Sequence, residues 1–264
     1  MAALGFVGGQ GMSDLITMDD LSNDEILEIL DAAERLLPVA NGDVYAPLLQ
    51  GKVLGNLFFE NSTRTRMSFE SAMKRLGGEV VNLSSVGSSV AKGETLYDTM
   101  QMVDGYSDIA VIRHPRQGAA QYSADAIGIP VLNAGDGAGN HPTQTMLDLF
   151  TIRQAHGTLE GLNVVLVGDL RYGRTTHSLS HALVRFGAKL TLVSPDSLRM
   201  PNEIVSDLQS HGADVAETEN FAGSIADADV IYMTRIQKER FPDEDEYTKV
   251  AGIYKMTADD LAVA

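Results

Sequence analysis

No cysteine occurs among the 264 residues, which excludes disulfides and cysteine-ligated zinc and suits a cytoplasmic setting. No apolar run is long enough to span a membrane. Basic residues are scarce: 20 Lys and Arg face 36 Asp and Glu, a formal charge of −16. That balance argues against nucleic acid and anionic membranes as partners. The six histidines show no His-Glu-x-x-His spacing, so no metal is expected. Residues 1–11 lack the basic start and apolar core of a signal peptide, and Met12 offers an alternative start. What remains is a globular chain, 44% hydrophobic and long enough for two modest domains.

Ser22-Asn23-Asp24-Glu25 reads as a capping box, followed by Ile26, Ile29, Leu30, Ala33 and Leu37 at helical spacing. Pro38 is expected to end that helix. An apolar strand over 53–59 runs into Ser62-Thr63-Arg64-Thr65, where Ser62 and Thr63 are good N-caps. The helix that follows is expected to bury Met67, Phe69, Ala72, Met73 and Leu76. Further strands are expected over 80–83, 109–113, 131–133, 164–167, 189–193 and 230–233, with helices over 94–105, 117–127, 142–156, 175–186 and 202–211. Such alternation predicts an α/β chain of two doubly wound parallel-sheet domains, with ligands at the carboxyl ends of the strands. Ala134-Gly135-Asp136-Gly137-Ala138-Gly139-Asn140 reads as a flexible junction, dividing the chain into domains 1–140 and 141–264.

Five polar clusters fall at loop positions of this scheme. Ser62-Thr63-Arg64-Thr65 combines unpaired first-turn amides, a helix dipole and an arginine; phosphate is the natural occupant, an ordinary capped helix the plain alternative. Ser88-Ser89-Val90-Ala91-Lys92 reads either as a connector or as a mobile lid carrying Ser88 and Lys92 to an oxyanion. Arg113 leaves a buried strand, and a surface ion pair is its plain alternative. His141, beside Gln144, sits where a helix N-terminus favours a neutral imidazole able to donate to a carbonyl, or serves only as a polar cap. Arg174 and Arg235 each follow a strand and together suit a dicarboxylate. Gly168 to Gly173 lacks the Gly-x-Gly-x-x-Gly spacing of a nicotinamide site. No nucleophile–base pair is evident, so the pattern suits electrostatic positioning of anions.

In order along the chain, Phe59-Glu60-Asn61-Ser62-Thr63-Arg64-Thr65-Arg66, Lys92-Gly93-Glu94, Arg113-His114-Pro115, Asn133-Ala134-Gly135-Asp136-Gly137 and His141-Pro142-Thr143-Gln144 resemble the aspartate/ornithine carbamoyltransferases. Gly168-Asp169-Leu170-Arg171-Tyr172-Gly173-Arg174-Thr175 and Thr234-Arg235-Ile236-Gln237-Lys238-Glu239-Arg240 are similar to the aspartate branch of that family. The resemblance implies carbamoyl transfer from carbamoyl phosphate to the amine of L-aspartate, in pyrimidine biosynthesis, with no cofactor. It implies that Ser62, Thr63, Arg64, Thr65 and Arg113 bind the phosphate, and that Ser88 and Lys92 come from a neighbouring subunit of a homotrimer with shared active sites. Thr65, Arg113 and His141 would polarise the carbamoyl carbonyl, and Gln144 would take the carbamoyl NH2. Arg174 would hold the α-carboxylate of aspartate, with Arg235 and Gln237 on its β-carboxylate. Regulatory chains are compatible with this scheme. The family continues with a His-Pro-Leu-Pro segment and C-terminal return helices that are not found before Ala264, so a C-terminally incomplete second domain is expected. If residue 264 is the true end, weak stability and little activity are expected.

Overall fold

The computed structural model describes residues 14–84, 89–137, 139–236, 243, 247–248, 250 and 252–261. The chain divides into two units, Met1–Met146 and Leu147–Ala264.

The first unit opens with α1 (Asn23–Asn41), whose capping box forms: the Ser22 hydroxyl accepts the Glu25 N–H at 3.2 Å, and the Glu25 carboxylate accepts the Ser22 N–H at 2.8 Å. Contrary to expectation, α1 does not stop at Pro38 but continues to Asn41 and closes on Gly42 at φ 86°. Pro38 forfeits its own N–H ladder bond, and only three helical residues follow it. Its own carbonyl then accepts the Asp43 N–H at 2.8 Å, which seals the helix end.

Four parallel strands follow, β1 (Val53–Phe58), β2 (Glu79–Ser84), β3 (Ile109–His114) and β4 (Val131–Asp136), in spatial order β2-β1-β3-β4. Helices α2 (Thr63–Arg75), α3 (Leu96–Tyr106) and α4 (Ala119–Ala126) connect them. β1 is buried along almost its whole length, as a strand covered on both faces must be. Leu57, Met100, Val103, Ile112 and Val131 form one core cluster, and Leu54, Phe58, Met73, Val111 and Ala134 another. On α2 the expected apolar face is only partly realised. Phe69, Met73 and Leu76 recur at i, i+4 and i+7 and turn inward, but Met67 lies off that stripe and is 58% exposed, and Ala72 is exposed too. Nor is the stretch after Asn133 a loose junction: β4 runs through Ala134 to Asp136 and is buried there. A segment the sequence did not flag pairs with the outer edge of β4 through a Leu15–Leu132 bridge.

α5 (Pro142–His156) spans the division between the units. The second unit then carries β5 (Asn163–Val167), β6 (Lys189–Val193), β7 (Val215–Thr218) and β8 (Val230–Met233), all parallel, in order β7-β6-β5-β8. Helices α6 (Arg174–Val184) and α7 (Asn202–Ser210) connect the first three strands. β7 was not expected from sequence, because only four residues form it and none of them is buried at the sheet edge.

Candidate active site

Each sheet winds outward, returns past its first strand, and winds the other way, so adjacent strand ends splay into a crevice between β1 and β3 in one unit and between β5 and β8 in the other. At the first crevice Phe58 pairs with Arg113, and the Phe59 N–H donates to the Arg113 carbonyl at 2.8 Å. The chain then turns into α2. Ser62 occupies the N-cap position in an extended conformation, but its side chain makes no capping bond, and Thr63 is already helical. The first turn carries no acidic residue. Thus the expected cap is absent, and the Ser62 hydroxyl is not committed to the helix's own amides. Arg64 and Arg66 are exposed, and Thr65 is half-buried.

Arg113 is 9% exposed. One guanidinium nitrogen, Nη2, donates to Glu60 Oε1 at 2.8 Å, and Nη1 donates to the Ala134 carbonyl at 3.1 Å. Its Nε is buried with no hydrogen-bond partner among the described residues. The alternative of a solvated surface ion pair therefore fails: the partner is real, but the guanidinium is inside. Beside it the Phe59 and His114 rings stand 5.4 Å apart. Burial, helped by the Arg116 charge, pushes His114 down from the usual histidine range. Its Nδ1 accepts the Arg116 N–H at 3.0 Å.

His141 is 5% exposed and immediately precedes α5; Thr143 Oγ1 lies 3.4 Å from its Nδ1. Gln144 is half-buried in the first turn. The ends of three adjacent strands, β1, β3 and β4, therefore lead into Ser62–Thr65 side chains, Arg113 and His141 along one edge of the sheet. Lys92 closes a short 3-10 turn, Ser89–Lys92, and is exposed. Ser88 and Gln237 lie outside the described residues.

In the second unit Arg174 is the first residue of α6 and 8% exposed. Fully buried Asp169 accepts the Tyr172 N–H at 2.9 Å through Oδ1. His177 Nε2–H donates to the Leu170 carbonyl at 2.7 Å, and burial pushes this histidine below its ordinary range. The turn that delivers Arg174 is thus held from both sides. Arg171 lies over the Tyr172 ring, 5.3 Å from its centre, and donates to the Ser197 carbonyl. Tyr232 on β8 donates to Asp148 at 3.1 Å and is pushed up to about 12, chiefly by burial. Arg235, two residues past β8, is exposed.

Gly168 links the two strand ends of this crevice. It has φ 116°, and a Cβ there would meet the Thr234 carbonyl oxygen at 2.4 Å. Gly168→Ala is expected to cost about 3–5 kcal/mol in a urea melt, from strain plus overpacking. Gly187→Ala, at φ 73° with open space around the added carbon, should cost only about 1–2 kcal/mol. Equal losses at the two sites would contradict this account.

Sequence reasoning assigned no role to Glu60, Asn133 or Asp136. The available signal for Glu60 was Arg113 itself, since an arginine inside a strand needs a carboxylate.

A sequence profile for "Aspartate/ornithine carbamoyltransferase, carbamoyl-P binding domain" matches residues 13–154, and one for the "Asp/Orn binding domain" matches residues 160–264. The chain belongs to the aspartate/ornithine carbamoyltransferase family. A curated relative from Archaeoglobus fulgidus, an aspartate carbamoyltransferase catalytic subunit, is 52% identical over 254 residues, covering 96% of this chain and 84% of the relative. One from Methanococcoides burtonii, with the same name, is 56% identical over 239 residues, covering 90% and 77%. Among solved structures, the catalytic subunit of M. jannaschii aspartate transcarbamoylase matches with TM-score 0.88 and 49% identity, covering 95% of this chain and 82% of that one. Aspartate transcarbamoylase from Trypanosoma cruzi, in complex with carbamoyl phosphate and aspartate, matches with TM-score 0.90 and 39% identity, covering 96% and 83%. Both family domains are therefore present, each as a doubly wound parallel sheet.

Proposed function

We propose that the chain transfers a carbamoyl group from carbamoyl phosphate to the amine of L-aspartate, giving N-carbamoyl-L-aspartate and phosphate. The observation that carries this reading is the placing of arginines at the switch point of each sheet, in a family whose similar members are named for aspartate. Arg174 and Arg235 suit a dicarboxylate by charge and would repel the side-chain ammonium of ornithine.

Ser62, Thr63, Arg64, Thr65 and Arg113 hold the phosphate, the first three through the open start of α2. Thr65, Arg113 and His141 polarise the carbamoyl carbonyl, and Gln144 takes the carbamoyl NH2. Arg174 holds the α-carboxylate, with Arg235 and Gln237 on the β-carboxylate. The amine nitrogen attacks the carbamoyl carbon, the bond from that carbon to the bridging phosphate oxygen breaks, and the departing phosphate accepts the amine proton. Charge passes from the carbonyl oxygen to phosphate, and fixed cationic and neutral donors stabilise it without a covalent intermediate. We place Ser88 and Lys92 in the site of a neighbouring subunit, within a cytoplasmic homotrimer serving pyrimidine biosynthesis.

The purified chain, supplied with carbamoyl phosphate and either aspartate or ornithine, should form ureido product with aspartate alone. Product with ornithine, or none with either amine even after the family's C-terminal segment is added to the chain, would overturn the reading.

A further inference from the structure

We propose that Asp136 is the positioning residue for His141, acting through the backbone N–H of Asn140. This rests on the role given to His141 above. Asp136 ends β4 and is only 3% exposed. Its Oδ1 accepts the Asn140 N–H at 2.7 Å and the Asn133 side-chain amide at 3.3 Å. Its Oδ2 accepts the Gly118 N–H at 2.8 Å, where Gly118 precedes α4. Two further backbone bonds tighten the same turn: the Asp136 N–H donates to the Asn140 carbonyl at 3.3 Å, and the Gly139 N–H donates to the Asp136 carbonyl at 2.8 Å. Asn133 is the second anchor, donating to the Ile16 carbonyl at 2.9 Å while its Oδ1 accepts the Gly135 N–H at 2.8 Å.

One buried carboxylate therefore fixes the residue next to His141 against the end of β4 and the start of α4. All three donors to it are neutral N–H groups, a set that an amide of the same shape does not reproduce. In Asp136→Asn one of the two side-chain positions becomes NH2 and faces a backbone N–H. That donor-against-donor clash displaces either Asn140 or Gly118. A shift of about 1 Å in a polarising group lowers turnover on the order of a hundredfold.

Asp136→Asn is expected to lower kcat by on the order of a hundredfold while protection against thermal unfolding by inorganic phosphate changes less than about twofold in half-saturating concentration. The deciding measurement is the cycle with His141→Ala. In that background Asp136→Asn should cost less than about threefold in kcat, because the group it aims is gone. Full additivity, or parallel loss of kcat and phosphate protection, would show a general structural role and overturn the proposal. If Asp136→Asn gives no cooperative melt, Asp136→Ser enters the same cycle with the same two outcomes. An inert His141→Ala would instead strike at the role given to His141, and an inactive parent chain at the function itself.

Discussion

Arg113→Met is expected to lower kcat/KM for carbamoyl transfer to aspartate by about a thousandfold, which corresponds to about 4 kcal/mol of transition-state stabilisation. Loss of a single fixed donor to a developing oxyanion already costs about a hundredfold or more. Here a full positive charge, 9% exposed, is removed as well. Methionine keeps much of the side-chain volume, so the packing around β3 survives. What does not survive is the partner of Glu60, whose side chain is 29% exposed. A partly buried carboxylate that loses a charged donor costs on the order of 1–3 kcal/mol in stability. The two effects separate in the double variant Arg113→Met/Glu60→Gln. Its urea midpoint should return toward that of the parent, while its kcat/KM stays low. A single variant within tenfold of the parent, or activity restored along with stability, would remove Arg113 from the reaction.

Arg174→Met is expected to raise KM for aspartate by about a hundredfold, the worth of a bidentate guanidinium–carboxylate pair. Half-saturation by carbamoyl phosphate should move less than about twofold, since the change lies at the other switch point. Arg235→Met is expected to do less, about tenfold, because an exposed cation is screened by solvent and salt. Initial rates with each substrate varied in turn decide this. An aspartate KM that does not move, or a carbamoyl-phosphate KM that rises with it, contradicts the division of substrates between the two sets of arginines.

The sheets were legible in the sequence because buried parallel strands announce themselves as short apolar runs between helical stretches. Val164 to Val167 and Lys189 to Val193 are of that kind. The β7 strand was missed for the opposite reason: Val215, Ala216, Glu217 and Thr218 are too short and too polar to rise above a loop. Pro38 misled because its usual effect presumes a helix interior, and the last turn of α1 has little ladder left to break. The candidate ligands of the anion were visible as residue types after strands. Their supports were not. The Glu60–Arg113 pair spans 53 positions, and Asp136 reaches Gly118 across 18. Only the fold makes those residues neighbours. The same holds for Ser62, whose identity suggests a cap and whose geometry leaves the hydroxyl outside the capping pattern.

Arg113 also differs from Arg64 in when its motion is lost. Its rotamers are settled during folding by Glu60 and the Ala134 carbonyl. An arriving anion need not still them, whereas quieting an exposed arginine costs about 0.5–1.5 kcal/mol at each encounter. Exposed Arg64 and Arg235 would, besides the contacts proposed for them, act at long range on the rate of capture. Raising the ionic strength should therefore weaken the pull of exposed Arg64 and Arg235 on an approaching anion more than any contact the anion makes with buried Arg113.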